Sequence, residues 1–317
     1  MSEIGRVERL PSLLAPFAGA RPPAPRWFAE ALTHEPERSS FDHDGAAIEL
    51  LTWGELGKPG LLFLHGNAAH ADWWSFIAPS FAMDYRCAAI SWSGMGGSDW
   101  RDVYSIQGFA DEALRAIEVA GLDRAGPPIA IGHSFGTFPM LHIATHNPHR
   151  IAAAILIDAL SPRSPRGKGP PSLPDDREMP RYASEADALA RFRFMPEQTS
   201  NQPAIVDFLA RGSLRQVEGG AWTWRFDPRI WSKFDRSQQT PDLLARATVP
   251  LGLIFGEQSV VVTPERLADV VGDIADCRFV TAIPDAGHHV MADQPIALIA
   301  ALRTGLGALG SLPQLRR

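Results

Sequence analysis

Cysteine is scarce in this sequence. Only Cys87 and Cys277 occur among 317 residues, which excludes a small disulfide-held domain and any metal centre built from paired cysteines. Each cysteine lies beside a predicted core strand, so we expect two buried, reduced thiols. This usage is typical of a cytoplasmic protein, and we expect neither a metal ion nor another cofactor.

Long apolar runs and dense blocks of positive charge are also missing. Glu3, Arg6, Glu8 and Arg9 lie among the first ten residues, and Pro16 breaks the short apolar run that follows. We therefore predict no secretory signal and no membrane span. The formal charge is −6, with 30 Lys and Arg against 36 Asp and Glu. We therefore expect a small or neutral ligand, with neither nucleic acid nor membrane as a partner. The oligomeric state is left open.

Short apolar runs alternate with helical patterns along most of the chain. Residues 41–53 predict a hairpin around Asp44-Gly45. Strands are then predicted at 61–64, 86–92, 129–131, 151–157, 249–255 and 278–282, and helices at 73–82, 106–120, after 134, 264–271 and through Leu298, Leu302 and Leu306. This order predicts an α/β protein with a mostly parallel, doubly wound sheet.

Two regions depart from the alternation. Residues 1–38 are rich in proline and arginine and predict an irregular arm. Residues 161–240 begin with a loop rich in proline and glycine and continue with helix-like segments at 185–194 and 203–209. We interpret 161–240 as a helical cap inserted after the sixth strand, and 39–160 with 241–317 as the core.

The stretch Gly132-His133-Ser134-Phe135-Gly136 follows a predicted strand and precedes a predicted helix. A serine with glycine two residues away on each side fits a strained turn that projects the hydroxyl outward, because a side chain at either glycine would crowd the turn. Ser134 is therefore the candidate nucleophile.

His65-Gly66-Asn67 forms a turn directly after the strand 61–64. Such a turn commonly supplies a backbone donor to an oxyanion hole, so we predict that the N–H groups of Asn67 and Phe135 face a developing oxyanion. The alternative is a turn that only ends the strand.

Gly287-His288-His289 lies on a predicted loop between the strand 278–282 and the last helix. An imidazole there would reach the same sheet edge as Ser134, and its ordinary pKa suits a general base that later returns the proton. We assign this role to His288, with His289 as the alternative.

These segments, together with Ser93-Gly94-Met95-Gly96-Gly97-Ser98, make the chain resemble the alpha/beta-hydrolase superfamily over about residues 41–308. The resemblance implies the alpha/beta-hydrolase fold and a catalytic triad. It does not specify the substrate, since this fold serves esterases, lactonases, carbon-carbon hydrolases, dehalogenases and epoxide hydrolases.

The third member of the triad departs from the common pattern. Most relatives place an aspartate after the seventh strand, where this chain has Ser259. Asp158 resembles the sixth-strand acid of the haloalkane-dehalogenase branch, and we favour it as the orienting acid. Glu257 is the fallback, and Asp285 or a bare Ser-His pair remain open. Because Ser134 replaces the carboxylate nucleophile of that branch, acyl chemistry is expected.

Nine tryptophans are many for this length. Aromatic residues near the His-Gly turn and in the predicted cap would favour a small apolar or aromatic ester-type substrate. The predicted pocket residues are Trp73, Trp74, Phe192, Phe194, Trp222 and Trp224. Arg191 and Arg193 could face a carboxylate on the substrate, but we favour a solvated cap face for them.

Three functions fit these patterns. The leading hypothesis is a hydrolase of carboxylic esters or lactones that works through an acyl-enzyme on Ser134. The same triad could instead cleave a carbon-carbon bond in a vinylogous diketone. The third possibility is a non-catalytic, hydrolase-like protein that binds a ligand under its cap.

Overall fold

The computed structural model describes residue 10 and residues 12–159, 178–237, 242–272 and 274–310. Within these ranges ten strands form two sheets. In chain order the strands are β1 (Glu37–His43), β2 (Ala46–Trp53), β3 (Gly60–Leu64), β4 (Arg86–Ile90), β5 (Ile129–His133), β6 (Ala153–Ile157), β7 (Leu214–Gln216), β8 (Trp222–Trp224), β9 (Leu251–Gly256) and β10 (Cys277–Ile283).

The larger sheet has the strand order β1-β2-β4-β3-β5-β6-β9-β10. The pairs β1/β2 and β2/β4 are antiparallel, whereas all later pairs are parallel. Strands β3 to β6 are buried at every position, as expected for parallel strands covered on both faces. The predicted α/β class with a mostly parallel, doubly wound sheet is confirmed.

Helices cover both faces of this sheet. In chain order the helices of the described residues are α1 (Arg26–Thr33), α2 (Ile106–Val119), α3 (Thr137–His146), α4 (Glu185–Leu189), α5 (Pro203–Gly212), α6 (Leu243–Arg246), α7 (Pro264–Val271), α8 (Val290–Asp293) and α9 (Pro295–Ala308). Side chains of β3 point alternately to the two faces of the sheet. Leu61 and Phe63 pack in the core that includes α9, whereas Leu62 and Leu64 pack in the core that includes α2 and α3. The sheet is thus fixed from both sides, and the loops at its carboxyl edge start from rigid strand ends.

The helix predicted at 73–82 is wrong. Two short 3-10 turns, Ala71–Trp74 and Ala78–Ser80, occupy this region. Pro79 lies at the start of the second turn, and without a backbone N–H it cannot continue a helix from the preceding residues.

The irregular conformation predicted for 1–38 is also wrong for part of that range. Helix α1 begins after Pro25, which has the extended backbone typical of a residue before a helix. Phe28 on α1 is only 3% exposed and packs edge-on against Phe76 and Phe208. The helix is therefore held by burial of its aromatic face.

The region predicted as a cap contains α4 and α5, and also a small antiparallel hairpin of β7 and β8 that the sequence analysis did not predict. Strands of three residues are too short to produce a recognisable alternation. The Gly219-Gly220 pair between them, with φ of 82° and 80°, is the turn signal that could have revealed the hairpin. The predicted proline-rich loop lies largely outside the described residues.

Both cysteines are free thiols. Cys87 is buried in β4, but Cys277, which was expected to be buried, is only partly so because it begins the edge strand β10. None of the helices in the described ranges combines the length and the apolar character needed to cross a bilayer.

Candidate active site

Ser134 lies on the turn between β5 and α3, as the strand-turn-helix prediction requires. Its φ is +50°, a conformation that strains any residue other than glycine. A Cβ on Gly132 would lie 3.0 Å from the Gly136 carbonyl oxygen, and a Cβ on Gly136 would lie 2.6 Å from that of Leu64. Gly132 therefore lets the strained turn close on itself, and Gly136 lets it pack against the end of β3.

A continuous hydrogen-bonded line joins Ser134, His288 and Asp158. Ser134 Oγ lies 2.9 Å from His288 Nε2, and His288 Nδ1 lies 2.8 Å from Asp158 Oδ1. Because a carboxylate only accepts, Nδ1 carries the hydrogen and Nε2 has the lone pair that accepts from the serine hydroxyl. His288 is 3% exposed and Asp158 is 1% exposed, so little water competes for these bonds.

Asp158 follows β6 and receives hydrogen bonds from the loop that follows β9. Its Oδ2 accepts from the Gly256 N–H at 2.8 Å, and its Oδ1 also accepts from the Ser259 hydroxyl at 2.6 Å. Ser259 in turn accepts from the N–H groups of Val261 and Val262. With these donors and His288, the buried carboxylate is fully hydrogen-bonded.

Sequence reasoning missed this contribution of Ser259, which it treated only as the place of an absent acid. A hydroxyl at the end of the seventh strand of the main sheet, facing an acid at the end of the sixth, is the signal that could have found it. The two other candidate acids lie elsewhere: Glu257 and Asp285 are both exposed, and the Nδ1 of His288 is bonded to Asp158.

The loop after β3 packs against the serine turn. A Cβ on Gly66 would lie 3.2 Å from the Ser134 Cβ, so the absence of a side chain there lets the two turns meet. Among the described residues, no acceptor pairs with the backbone N–H of Asn67. Phe135 provides the next N–H after the serine. These two N–H groups lie on the turns that flank the Ser134 hydroxyl.

His65 holds the loop from within. Its Nδ1 donates to the Gly66 carbonyl at 2.7 Å, and its Nε2 accepts from the Trp92 N–H at 3.1 Å. Burial lowers the pKa of His65 to about 3, because the charged form would lose its hydration. The imidazole is therefore neutral and serves as a hydrogen-bonding brace.

The buried imidazoles of His133 and His289 lie next to that of His288, with ring centroids 4.9 and 4.8 Å away. Burial holds the pKa of His133 and that of His289 well below the ordinary value, so both are neutral and add no charge beside His288. His133 Nε2 donates to the His288 carbonyl at 3.0 Å. One ring nitrogen from each of the three histidines lies within 4.8 Å of the others, but both ring nitrogens of His288 are already hydrogen-bonded, one to Asp158 and one to Ser134.

A cavity of about 220 Å³ lies beside this line of residues. Asn67, on the loop after β3, and His289, next to His288, line it, whereas Ser134 does not. The described residues that line it are Asn67, Ala68, Trp73, Arg191, Phe192, Arg193, Phe194, Met195, Ser213, Trp224, Phe226 and His289.

Four of the six predicted pocket residues line this cavity: Trp73, Phe192, Phe194 and Trp224. Trp74 does not, because its side chain is fully buried and packs 5.1 Å from the Phe63 ring centroid. Trp222 is likewise absent from the lining and bridges to Tyr182. Ala68, Ser213, Phe226 and His289 line the cavity without having been predicted.

An eight-stranded, mostly parallel sheet with a serine on the turn after its fifth strand is the architecture of an alpha/beta hydrolase. A family model described as "Alpha/beta hydrolase family" matches residues 61–302. This match covers more than half of the chain, so the chain belongs to the alpha/beta hydrolase family, and the resemblance inferred from the motifs is confirmed.

Two curated relatives come from Mycobacterium tuberculosis. The esterase Rv0045c is 27% identical over 273 residues, which cover 81% of this chain and 85% of the relative. The lipase LipV is 25% identical over 272 residues, which cover 82% and 98%. Among solved structures, E-2-(acetamidomethylene)succinate hydrolase has a TM-score of 0.69 at 20% identity, covering 86% of this chain and 99% of that one. The structural likeness concerns the fold alone.

Proposed function

We propose that this protein hydrolyses carboxylic esters or lactones through an acyl-enzyme. Ser134 is the nucleophile, His288 the general base and then acid, and Asp158 the group that orients the imidazole. The observation that carries this proposal is the unbroken hydrogen-bonded line from Ser134 Oγ to Asp158 Oδ1. The similarity to relatives named as an esterase and a lipase supports the same class of reaction.

In the first half of the reaction, Ser134 Oγ attacks the ester carbonyl carbon while His288 Nε2 takes the hydroxyl proton. The resulting imidazolium is stabilised by Asp158 through Nδ1. The tetrahedral intermediate then expels the alcohol, which receives the proton from Nε2. The acyl group is left on Ser134 as an ester.

In the second half, water attacks the acyl-enzyme and His288 Nε2 takes one of its protons. Collapse of the second tetrahedral intermediate releases the carboxylic acid and returns the proton to Ser134 Oγ. Both intermediates carry an oxyanion, for which we assign the backbone N–H groups of Asn67 and Phe135. Loss of one such donor costs about 2.7 to 4 kcal/mol of barrier stabilisation in related sites.

The cavity supports a small substrate with an apolar or aromatic part. Trp73 and Phe194 meet edge-on with ring centroids 6.0 Å apart, and Phe192 lies 5.2 Å from Phe194. Such rings favour flat or apolar groups. At about 220 Å³ the space suits short acyl chains better than long lipid chains, because drug-sized ligands commonly occupy about 300 to 1,000 Å³.

A series of p-nitrophenyl esters from acetate to octanoate tests the proposal. Wild type should hydrolyse the short esters, Ser134→Ala should be reduced to the background rate, and a fluorophosphonate probe should label wild type at Ser134 but not the variant. Equal ester hydrolysis by wild type and Ser134→Ala, with no labelling of Ser134, would rule out the assignment.

A further inference from the structure

The described charged side chains that line the cavity beside Ser134 are all positive. Among the described residues that line it, the charged ones are Arg191 and Arg193, and none carries a carboxylate. This is unexpected in a protein whose acidic residues outnumber the basic ones by 36 to 30. The remainder of the wall is largely aromatic, with Trp73, Phe192 and Trp224 among its members.

Arg193 is held in place but not neutralised. It is partly buried, and its Nη1 donates to the carbonyl oxygens of Phe192 at 2.6 Å and Ala190 at 3.4 Å. Among the described residues no acidic side chain pairs with Arg193 or Arg191. Apart from these two carbonyl oxygens, no described residue accepts a hydrogen bond from the Arg193 guanidinium, which leaves N–H groups for a ligand.

Arg211, in the same region of the chain, differs from Arg193 because acidic side chains pair with it. It is also partly buried, and it pairs with Glu185 at 2.7 Å and with Asp207 at 2.8 Å. Removing a guanidinium from water is costly unless an opposite charge compensates. The structure compensates Arg211 with two carboxylates, whereas no described carboxylate pairs with Arg193.

We infer that the preferred substrates are esters that carry a carboxylate a short chain away from the scissile carbonyl, and that Arg193, assisted by Arg191, binds this carboxylate. A guanidinium matches a carboxylate with two parallel N–H···O bonds, which fixes its orientation as well as its position. The aromatic residues that line the same cavity would contact the intervening chain. This inference rests on the proposed function, because it names the substrate class of the same site.

Two esters of equal length test the inference. Mono-p-nitrophenyl adipate has a free carboxylate, and methyl p-nitrophenyl adipate differs only in a methyl group that removes the charge. For wild type we expect kcat/KM to be about tenfold higher for the free acid at low salt. This preference should shrink as ionic strength rises, since Arg191 is exposed and Arg193 is only partly buried.

The ratio between the two esters should fall to near one in Arg193→Gln. Arg215→Gln is the matched control, because Arg215 is an exposed arginine that stacks over Trp100 away from this cavity, and it should retain the wild-type ratio. A wild-type ratio near one, or an equal loss of preference in both variants, would overturn the inference.

Calorimetry with 6-oxoheptanoate separates this inference from the proposed function, because this methyl ketone keeps the chain length and the carboxylate of monomethyl adipate but has no ester bond to hydrolyse. Wild type should bind this anion, and Arg193→Gln should bind it at least about tenfold more weakly. If both adipate esters resist hydrolysis and Ser134 resists a fluorophosphonate, the proposed function fails, while the calorimetric comparison still decides whether Arg193 holds a carboxylate. No binding by wild type in calorimetry overturns the inference even if neutral esters are hydrolysed.

Discussion

Ser259 donates its hydroxyl hydrogen to Oδ1 of Asp158 at 2.6 Å. The same oxygen accepts from Nδ1 of His288 at 2.8 Å. The hydroxyl and the imidazole therefore share one lone-pair-bearing atom of a buried carboxylate. A stronger hydrogen bond from Ser259 withdraws negative charge from Oδ1 and so weakens its attraction for the His288 imidazole. Ser259 can therefore change how strongly Asp158 stabilises a protonated His288, although it does not contact His288.

Removal of the Ser259 hydroxyl should change the pH dependence of hydrolysis. In Ser259→Ala, Asp158 would lose one donor and present more negative charge to His288, which stabilises the imidazolium form. We expect the acidic limb of the kcat/KM profile to move to higher pH, with kcat reduced about three- to tenfold from poorer alignment of the carboxylate. Profiles of kcat/KM between pH 5 and 9 measure both effects.

Ser259→Thr is the control for that experiment. It keeps a hydroxyl at the same place and should restore the wild-type position of the acidic limb. An unchanged limb in Ser259→Ala, with only an overall loss of activity, would mean that Ser259 supports the loop through Val261 and Val262 and does not act on the triad.

Substitution of Asp158 should reduce kcat far more than substitution of Glu257, the fallback acid. Asp158→Asn replaces the orienting charge with an amide that can favour the wrong imidazole tautomer, so we expect kcat to fall about 10³- to 10⁴-fold. Glu257→Gln is the matched control and should retain near wild-type kcat, since Glu257 is exposed. Strong loss in Glu257→Gln with an active Asp158→Asn would transfer the role to Glu257.

The positions of Ser134, His288 and Asp158 were predictable because each follows a strand of a parallel sheet. Parallel strands bring their carboxyl ends to one edge, so residues 130 and 154 positions apart meet there. The glycines around Ser134 narrowed the choice further, because the strained turn excludes side chains at their positions. Local sequence and topology indicated Ser134 and His288, whereas the preference for Asp158 over Glu257 and Asp285 rested on the resemblance to the haloalkane-dehalogenase branch.

The remaining features depend on packing that no local pattern specifies. Trp73 and Trp74 are adjacent and chemically identical, yet one lines the cavity and the other is buried in the core. The packing of their 3-10 turn on β3 decides which of the two side chains lines the cavity. The bond between Ser259 and Asp158 spans 101 positions, and a neutral hydroxyl leaves no periodic or charge signal in the sequence.

Buried neutral histidines should make the protein sensitive to moderate acid. Burial lowers the pKa of His65 to about 3 from an ordinary value of 6.5, so between these values only the unfolded chain takes up the proton. The contribution of His65 to stability is therefore complete above pH 6.5 and declines as the pH falls below it. The free energy of unfolding should lose about 1.4 kcal/mol per pH unit for each such histidine.

Urea unfolding at pH 7, 6, 5 and 4.5 measures this slope. His65→Gln can keep both hydrogen bonds of His65 without a titrating group, and its slope should be smaller than that of wild type by about 1.4 kcal/mol per pH unit. His149 is exposed, so His149→Gln should leave the slope unchanged. Identical slopes in wild type and His65→Gln would contradict a neutral, buried His65.

Gly136 should tolerate no side chain, because its missing Cβ faces fixed backbone. In Gly136→Ala the new methyl group would lie 2.6 Å from the Leu64 carbonyl oxygen and 2.7 Å from that of His65, well inside the usual contact of about 3.3 Å between carbon and oxygen. The serine turn must then move away from β3, which displaces both Ser134 and the Phe135 N–H. We expect kcat to fall about 100-fold and stability to fall by about 1 to 3 kcal/mol.

Gly272→Ala supplies the comparison for this substitution. Gly272 has φ of −65° at the end of α7, and a Cβ there would come no closer than 3.8 Å to the Ala268 carbonyl oxygen. It should match wild type in p-nitrophenyl ester turnover and in the rate of fluorophosphonate labelling. Slow labelling of Gly136→Ala at a temperature where circular dichroism reports a folded protein would assign the loss to the displaced serine turn. Wild-type labelling by Gly136→Ala would mean that the contact with β3 does not set the position of Ser134.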